Sequence, residues 1–188
     1  MQGLRKLCDQ HNSLLIFDEV ICGFGRTGSW FGAETFGVTP DLMTFAKGVS
    51  SGYLPLSGVI VSQPIADELT EPGFMLRTGY TYSGHPASAA AGLANIAIIE
   101  EEGLCERANH IGKKTVEGFD ALKADGLIKS YRGIGAVWAA EVGRDAIGIR
   151  NKMIDDGVIV RGLDESIVWC PPLAVSYTHL TLPTTPYV

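Results

Sequence analysis

Short, wholly apolar runs alternate along this chain with longer stretches of helical spacing. Residues 3–12 are polar with scattered leucines and predict a short helix. The run Leu14–Phe17 that follows is of the kind buried in a parallel sheet. Two further runs, Asp41–Ala46 and the β-branched Ser57–Ser62, predict two more strands. Between the first two, from Gly23 to Pro40, glycines predict a loop-rich segment. Gln63–Thr70 reads as a helix with Pro64 in its first turn, and Arg77–Pro86 as a loop of small and hydroxyl side chains. Next come an alanine-rich helix, Ala87–Glu102, stopped by Gly103, and an amphipathic helix, Cys105–Asp125, with Val116, Phe119 and Leu122 on one face. After Gly126 the grain changes. Residues 127–142 predict two strands around a glycine turn, 146–156 a helix, and 158–161 and 166–170 two short strands. The whole predicts an α/β unit joined through the long helix to a small α+β block.

Composition narrows the classes of function. The 188 residues are 46% hydrophobic and 19% charged, which is the balance of a folded globular chain. A formal charge of −6 provides no basic footprint for nucleic acid. No apolar run approaches the roughly 18 residues of a spanning helix, and the opening MQGLRKLCDQ lacks the apolar core of a signal peptide. The cysteines, at 8, 22, 105 and 170, are scattered and lack any C-x-x-C spacing, so the expectation is free thiols in a reducing cytoplasm. The four histidines show no ligand spacing, and no metal is expected.

The segment Gly23-Phe24-Gly25-Arg26-Thr27-Gly28 fits G-x-G-x-x-G, the dinucleotide fingerprint. Its context fails that reading. Five residues, Asp18 to Cys22, stand between the apolar strand and Gly23, and Gly32, Gly37 and Pro40 leave no room for a long helix afterwards. These are loop glycines, and Arg26 among them is expected to form a structural ion pair. Asp18 and Lys47 carry more chemistry. Each closes an apolar run, at the carboxyl edge where ligands collect in a parallel sheet. A carboxylate and an amine buried there need a partner. The lysine, short of hydration, becomes a candidate nucleophile for a carbonyl. Two readings fit the pair: a structural ion pair, or a cofactor held between them. Pyridoxal phosphate suits the second, because its aldehyde forms a Schiff base with a lysine while a carboxylate keeps its ring nitrogen protonated.

The stretch LIFDEVICGFGRTGSWFGAETFGVTPDLMTFAKGVSSGYLPLSGVIVS resembles the signature of class III (ω-) aminotransferases, pyridoxal-phosphate enzymes of fold type I. The resemblance runs from Met1 to about Ala174, and it implies the following. Residues 1–104 would be the C-terminal part of the cofactor-binding large domain, and 105–174 a linker helix and small C-terminal domain. Asp18 would pair with the pyridine nitrogen, Val20 would pack against the ring face, and Lys47 would carry the aldehyde and then move the substrate proton. The segment Thr81-Tyr82-Ser83-Gly84-His85-Pro86 is similar to the branch that uses pyruvate as acceptor and ω-amino acids or amines as donors. Thr81 would then bind the cofactor phosphate of a neighbouring subunit in a homodimer with a shared active site, and Tyr80 would line the same place. The structural alternative is that Thr81 or Ser83 caps the following helix. His85 is expected to be a packed loop residue. In the small domain Arg161, in VIVRGLDESIVWCPPL, would hold the acceptor carboxylate; the alternative is a strand-end arginine paired with Asp164 or Glu165.

Two rivals share these residues: an aminomutase or decarboxylase on the same scaffold, and an inert piece that keeps only assembly contacts. The family's Gly-Ser phosphate loop and ring-stacking aromatic are not found in this sequence. Cut off from them, the chain is expected to leave sheet edges open and to hold the cofactor weakly or not at all. Finally, VSYTHLTLPT (Val175–Thr184) resembles a translated sequencing-library adapter, so Val175–Val188 is read as a non-native tail.

Overall fold

The computed structural model describes residues 1–143 and 145–174; the adapter-like tail lies outside the described residues. The chain divides into two units. The first comprises Met1–Gly25 and Ser29–Gly103, and the second comprises Arg26–Gly28 and the residues from Leu104 onward.

In the first unit, α1 (Gln2–Gln10) leads into β1 (Ile16–Asp18). The Gly23–Pro40 segment is largely loop, with one five-residue helix, α2 (Gly32–Phe36), ended by Gly37 in the left-handed conformation. β2 (Leu42–Phe45) then pairs parallel with β1, and β3 (Gly58–Val61) pairs antiparallel with β2. The sheet order is β1-β2-β3, and α3 (Gln63–Thr70) and α4 (Pro86–Glu101) follow it. Register puts Phe17, Met43 and Ile60 in one row and Asp18, Thr44 and Val59 in the next, on opposite faces of the pleat. Phe17 joins Leu15 and Val38 in the core, with Met43, Cys8 and Ala33 packed against them. Burial of Leu15 and Phe17 stabilises by about 1.5–3 kcal/mol each. The opposite face has no such cover. Ile16 and Val59 are more than half exposed there.

Two carboxylates lock this unit. Asp41 Oδ2 accepts from the Leu15 backbone N–H and from the Arg5 guanidinium, both at 2.7 Å, which ties α1 and the start of β1 to the start of β2. The Leu15 N–H first, and then Arg5, hold its carboxyl below the usual aspartate value. Glu19 is buried, and its two oxygens accept from the N–H groups of Gly32 at 2.9 Å and Ala33 at 2.7 Å, the first turn of α2. Adjacent acids thus have opposite fates: Asp18 faces solvent and Glu19 faces inward.

The glycine loop is explained by packing. Gly25 and Gly28 have φ near +94° and +93°, where a side chain would be strained. Just before them, Phe24 is buried, with its ring edge-on to Phe31 and Phe45 at 5.3 and 6.0 Å.

In the second unit, α5 (Leu104–Ala124) lies beside a four-stranded antiparallel sheet of order β4-β5-β7-β6. These strands are β4 (Ser130–Ile134), β5 (Val137–Glu141), β6 (Arg161–Leu163) and β7 (Ser166–Trp169). α6 (Ala146–Asp155) starts at Asp145, whose side chain accepts from the Gly148 N–H. The stripe of α5 that is buried is Leu104, Ala108, Ile111 and Thr115; Val116, Phe119 and Leu122 are half-buried beside it. A Cβ at Gly112 would meet the Gly135 carbonyl oxygen at 2.6 Å, so only glycine lets α5 approach the β4–β5 turn. Residues 158–160 are not strand; pairing begins at Arg161, opposite Val168. Val160 instead turns into the core with Ala146 and Ile167.

Arg26 makes no ion pair among the described residues, contrary to expectation. Its half-buried guanidinium donates from Nη1 to the carbonyls of Ala136 at 3.1 Å and Pro171 at 2.6 Å. Carbonyl dipoles do not fully replace water, and burial pulls its pKa down.

Two outcomes follow for stability. Glu19→Ala strands two helix N–H groups away from water and should lower stability by about 2 kcal/mol, read as a fall in the urea midpoint; an unchanged midpoint would mean those donors have other partners. The carboxylate of Asp41 contributes stability that is complete above about pH 3.8. That contribution drains as pH falls through its lowered folded value. The midpoint difference between the parent chain and Asp41→Asn should therefore be full at pH 7 and shrink in acid.

Candidate active site

Parallel pairing of β1 with β2 sets both carboxyl ends at one edge of the sheet. Asp18 is the last residue of β1 and stands opposite Thr44. Lys47 follows three residues later, after about 10 Å of extended chain. The sequence places Asp18 and Lys47 on neighbouring strand ends, and the fold agrees. It differs on burial, because both side chains are exposed. The sheet face carrying Asp18 has no covering layer in this unit, so dehydration does not act on either group.

Asp18 is oriented by its neighbours. One carboxylate oxygen, Oδ1, accepts from the Val20 N–H at 3.1 Å and from the Thr44 hydroxyl at 3.2 Å. The other oxygen takes no donor among the described residues and remains open as an acceptor. Val20, half-buried, is thereby held next to the acid through its own backbone. Thr44 was not singled out from the sequence; its one signal is a hydroxyl inside an otherwise apolar strand.

Lys47 is held differently. Ala46 is extended, and Lys47 then enters the left-handed region at φ 44° and opens a one-turn 3-10 helix, Lys47–Val49. For a residue with a long side chain this conformation costs on the order of 1–3 kcal/mol, and such residues concentrate at functional sites. Gly48 sits under Phe24; a Cβ there would lie 3.0 Å from the Phe24 Cβ. The turn is packed on one side while its lysine projects into solvent.

The Cys22 thiol, four residues beyond Asp18, is a poor rival to the lysine. Burial first, then the charges of Glu19 and Asp18, push the Cys22 thiol up, so it stays protonated near neutrality. Among the described residues no three His, Cys, Asp or Glu side chains cluster as a metal site, and no helix is long and apolar enough to cross a membrane.

The remaining residues lie elsewhere. Tyr80 and Thr81 are exposed in the segment before α4, where the Tyr80 N–H donates to Ser83 Oγ at 3.1 Å. No side chain caps α4, and its N-cap, His85, is exposed instead of packed, since no element of this unit covers the segment. Arg161, in the second unit, is exposed and pairs with neither Asp164 nor Glu165 among the described residues; Glu165 lies 3.9 Å from Lys129.

The donor set fits pyridoxal phosphate. An open carboxylate oxygen can accept from a protonated ring nitrogen, and a solvent-facing amine on the adjacent strand end can reach an aldehyde. Residues 1–185 match the family model described as "Aminotransferase class-III". Over 94% of its length the chain is 37% identical to putrescine–pyruvate aminotransferase of Pseudomonas aeruginosa. Over 79% it is 44% identical to diaminobutyrate–2-oxoglutarate transaminase of Halomonas elongata. A transaminase from the marine bacterium Virgibacillus superposes with a TM-score of 0.90 at 39% identity over 94% of the chain. The chain spans 41%, 32% and 44% of those three proteins respectively. Its fold is accordingly part of a fold type I transaminase, and the chain belongs to the class III aminotransferases, a family dependent on pyridoxal phosphate.

Proposed function

We propose that this chain supplies the reacting lysine and the ring-nitrogen acid of an enzyme that moves an amino group from an ω-amino acid or amine to pyruvate, giving alanine. The observation that carries the reading is the pairing at one sheet edge. An acid with one oxygen open and an amine on left-handed backbone sit on the ends of two parallel strands.

Asp18 would accept the ring N–H on its open oxygen, and Val20 would pack against the ring face. When bound, the cofactor supplies an electron-poor ring that stabilises charge left on the substrate carbon. Lys47 would bind the aldehyde between turnovers, give way to the donor amine, and take the proton from the carbon bearing that amine. Arg161 would grip the acceptor's carboxylate through two parallel N–H bonds. Tyr80 and Thr81 would serve the cofactor phosphate of a second copy. The exposed Phe74, Met75, Leu76, Tyr80 and Tyr82 support a reading in which a homodimer partner covers that segment. A soluble, cytoplasmic enzyme without nucleic-acid or membrane partners is consistent with the charge and the free thiols. The Halomonas relative, named for 2-oxoglutarate, favours a second acceptor as the alternative.

Trapping tests the lysine. The chain is incubated with pyridoxal phosphate, reduced with borohydride and mapped by mass spectrometry. Weak labelling concentrated at Lys47, and lost in Lys47→Ala, is the expected outcome; even labelling of all lysines would refute the assignment. In the full-length enzyme, Lys47→Ala should lower turnover by at least ~10²–10⁴-fold. Alanine formed from pyruvate, as against glutamate from 2-oxoglutarate, identifies the acceptor.

A further inference from the structure

The turn that begins at Lys47 is held from outside itself. Asn95, on α4, donates through Nδ2 to the carbonyl oxygens of Gly48 at 2.8 Å and Val49 at 3.1 Å. Its Oδ1 accepts from the Ser51 hydroxyl at 2.7 Å. A primary amide has two N–H donors and one carbonyl acceptor, and here each finds a partner in four consecutive residues. Asp would lack the donors, and Gln would carry them one methylene too far.

The helix is built for this approach. Ser88, Gly92, Asn95 and Ile99 recur at helical spacing along one stripe, and Ser88, Gly92 and Ile99 are buried. A Cβ at Gly92 would meet Leu56 Cδ2 at 2.6 Å and would lie 3.7 Å from the Val49 carbonyl oxygen. Glycine therefore lets the helix backbone come close enough for the next turn's short amide to reach the loop.

Left to itself, a lysine avoids positive φ, because its Cβ then crowds the backbone. The local bonds of the 3-10 turn do not select that φ; they run from the N–H groups of Val49 and Ser50 to Ala46 and Lys47. Asn95 fixes the two carbonyls that follow Lys47, and so constrains from outside the path by which the chain leaves β2. We infer that Asn95 is a positioning residue that holds Lys47 in its left-handed conformation and so aims its amine from the strand end. This rests on the reading of Lys47 as the amine that binds the cofactor.

The test separates the two claims. In the unsubstituted chain, NMR should give the strong intraresidue Hα–amide cross-peak of positive φ at Lys47, and the same at Asn12, whose φ is 52° and which lies at the end of α1. Asn95→Asp keeps shape and the acceptor but loses both donors. It should weaken the Lys47 cross-peak to the intensity of ordinary negative-φ residues, leave that of Asn12, and cut borohydride-trapped cofactor at Lys47 at least fivefold relative to Lys129. Ser51→Ala removes only the hydroxyl that orients the amide, and should weaken the Lys47 cross-peak with the fold intact. It decides the matter if Asn95→Asp also loses the Asn12 signal. A Lys47 cross-peak that is weak in the parent chain, or unchanged in both variants, overturns the inference. A Lys47 cross-peak weakened on substitution in a chain that traps cofactor evenly over all its lysines supports the positioning role and refutes the cofactor reading instead.

Discussion

Parallel pairing between β1 and β2 is the constraint on which the rest depends. Two antiparallel strands would send Asp18 and Lys47 to opposite ends of the sheet; parallel strands send both to the same edge. A parallel pair cannot be closed by a tight turn, so the chain must travel from Glu19 to Asp41 before it returns. That crossover is where the loop glycines, α2 and the buried Glu19 belong. The carboxylate of Glu19 fastens the crossover to the end of β1, one residue beyond the acid that faces the candidate site. Phe24 then brings the crossover back against Gly48. One segment thus supports both strand ends.

The strands, helices and loop glycines were legible because each has a local cause. Apolar runs of four to six residues became strands, and alanine-rich or amphipathic spacing became helices. Boundaries drifted where tertiary packing outweighed propensity. Val158 and Val160 have strand-forming side chains, yet both pack into the α6 core, and pairing starts only at Arg161. Arg26 was misread for a different reason: its partners are backbone carbonyls of Ala136 and Pro171, which carry no signal in a sequence.

At the candidate site, Asp18 and Lys47 were legible because their residue types are chemically demanding, and a resemblance sharpened what spacing alone left open. Thr44, Glu19 and Asn95 were not. Each acts through hydrogen bonds to residues 13 to 47 positions away, and a polar side chain in an apolar run or helix has many bland explanations. The burial expected of Asp18 and Lys47 failed on geometry. It presumed a layer over both faces of the sheet, whereas the face bearing Ile16, Asp18 and Val59 is open in this unit.

That open face divides reactivity from affinity. The groups that would do chemistry, an oriented carboxylate and an amine on constrained backbone, are present and held by short-range contacts within residues 16–95. Tight retention of a cofactor asks for more: exclusion of water from the ring, and donors around the phosphate from several elements. An ion pair or hydrogen bond on an exposed face competes with bulk water and contributes little net free energy. Preorganisation without enclosure yields selective but weak engagement. The orientation of Asp18 and Lys47 is therefore a property of this fold segment, and the strength with which they hold a ligand depends on whatever covers the sheet.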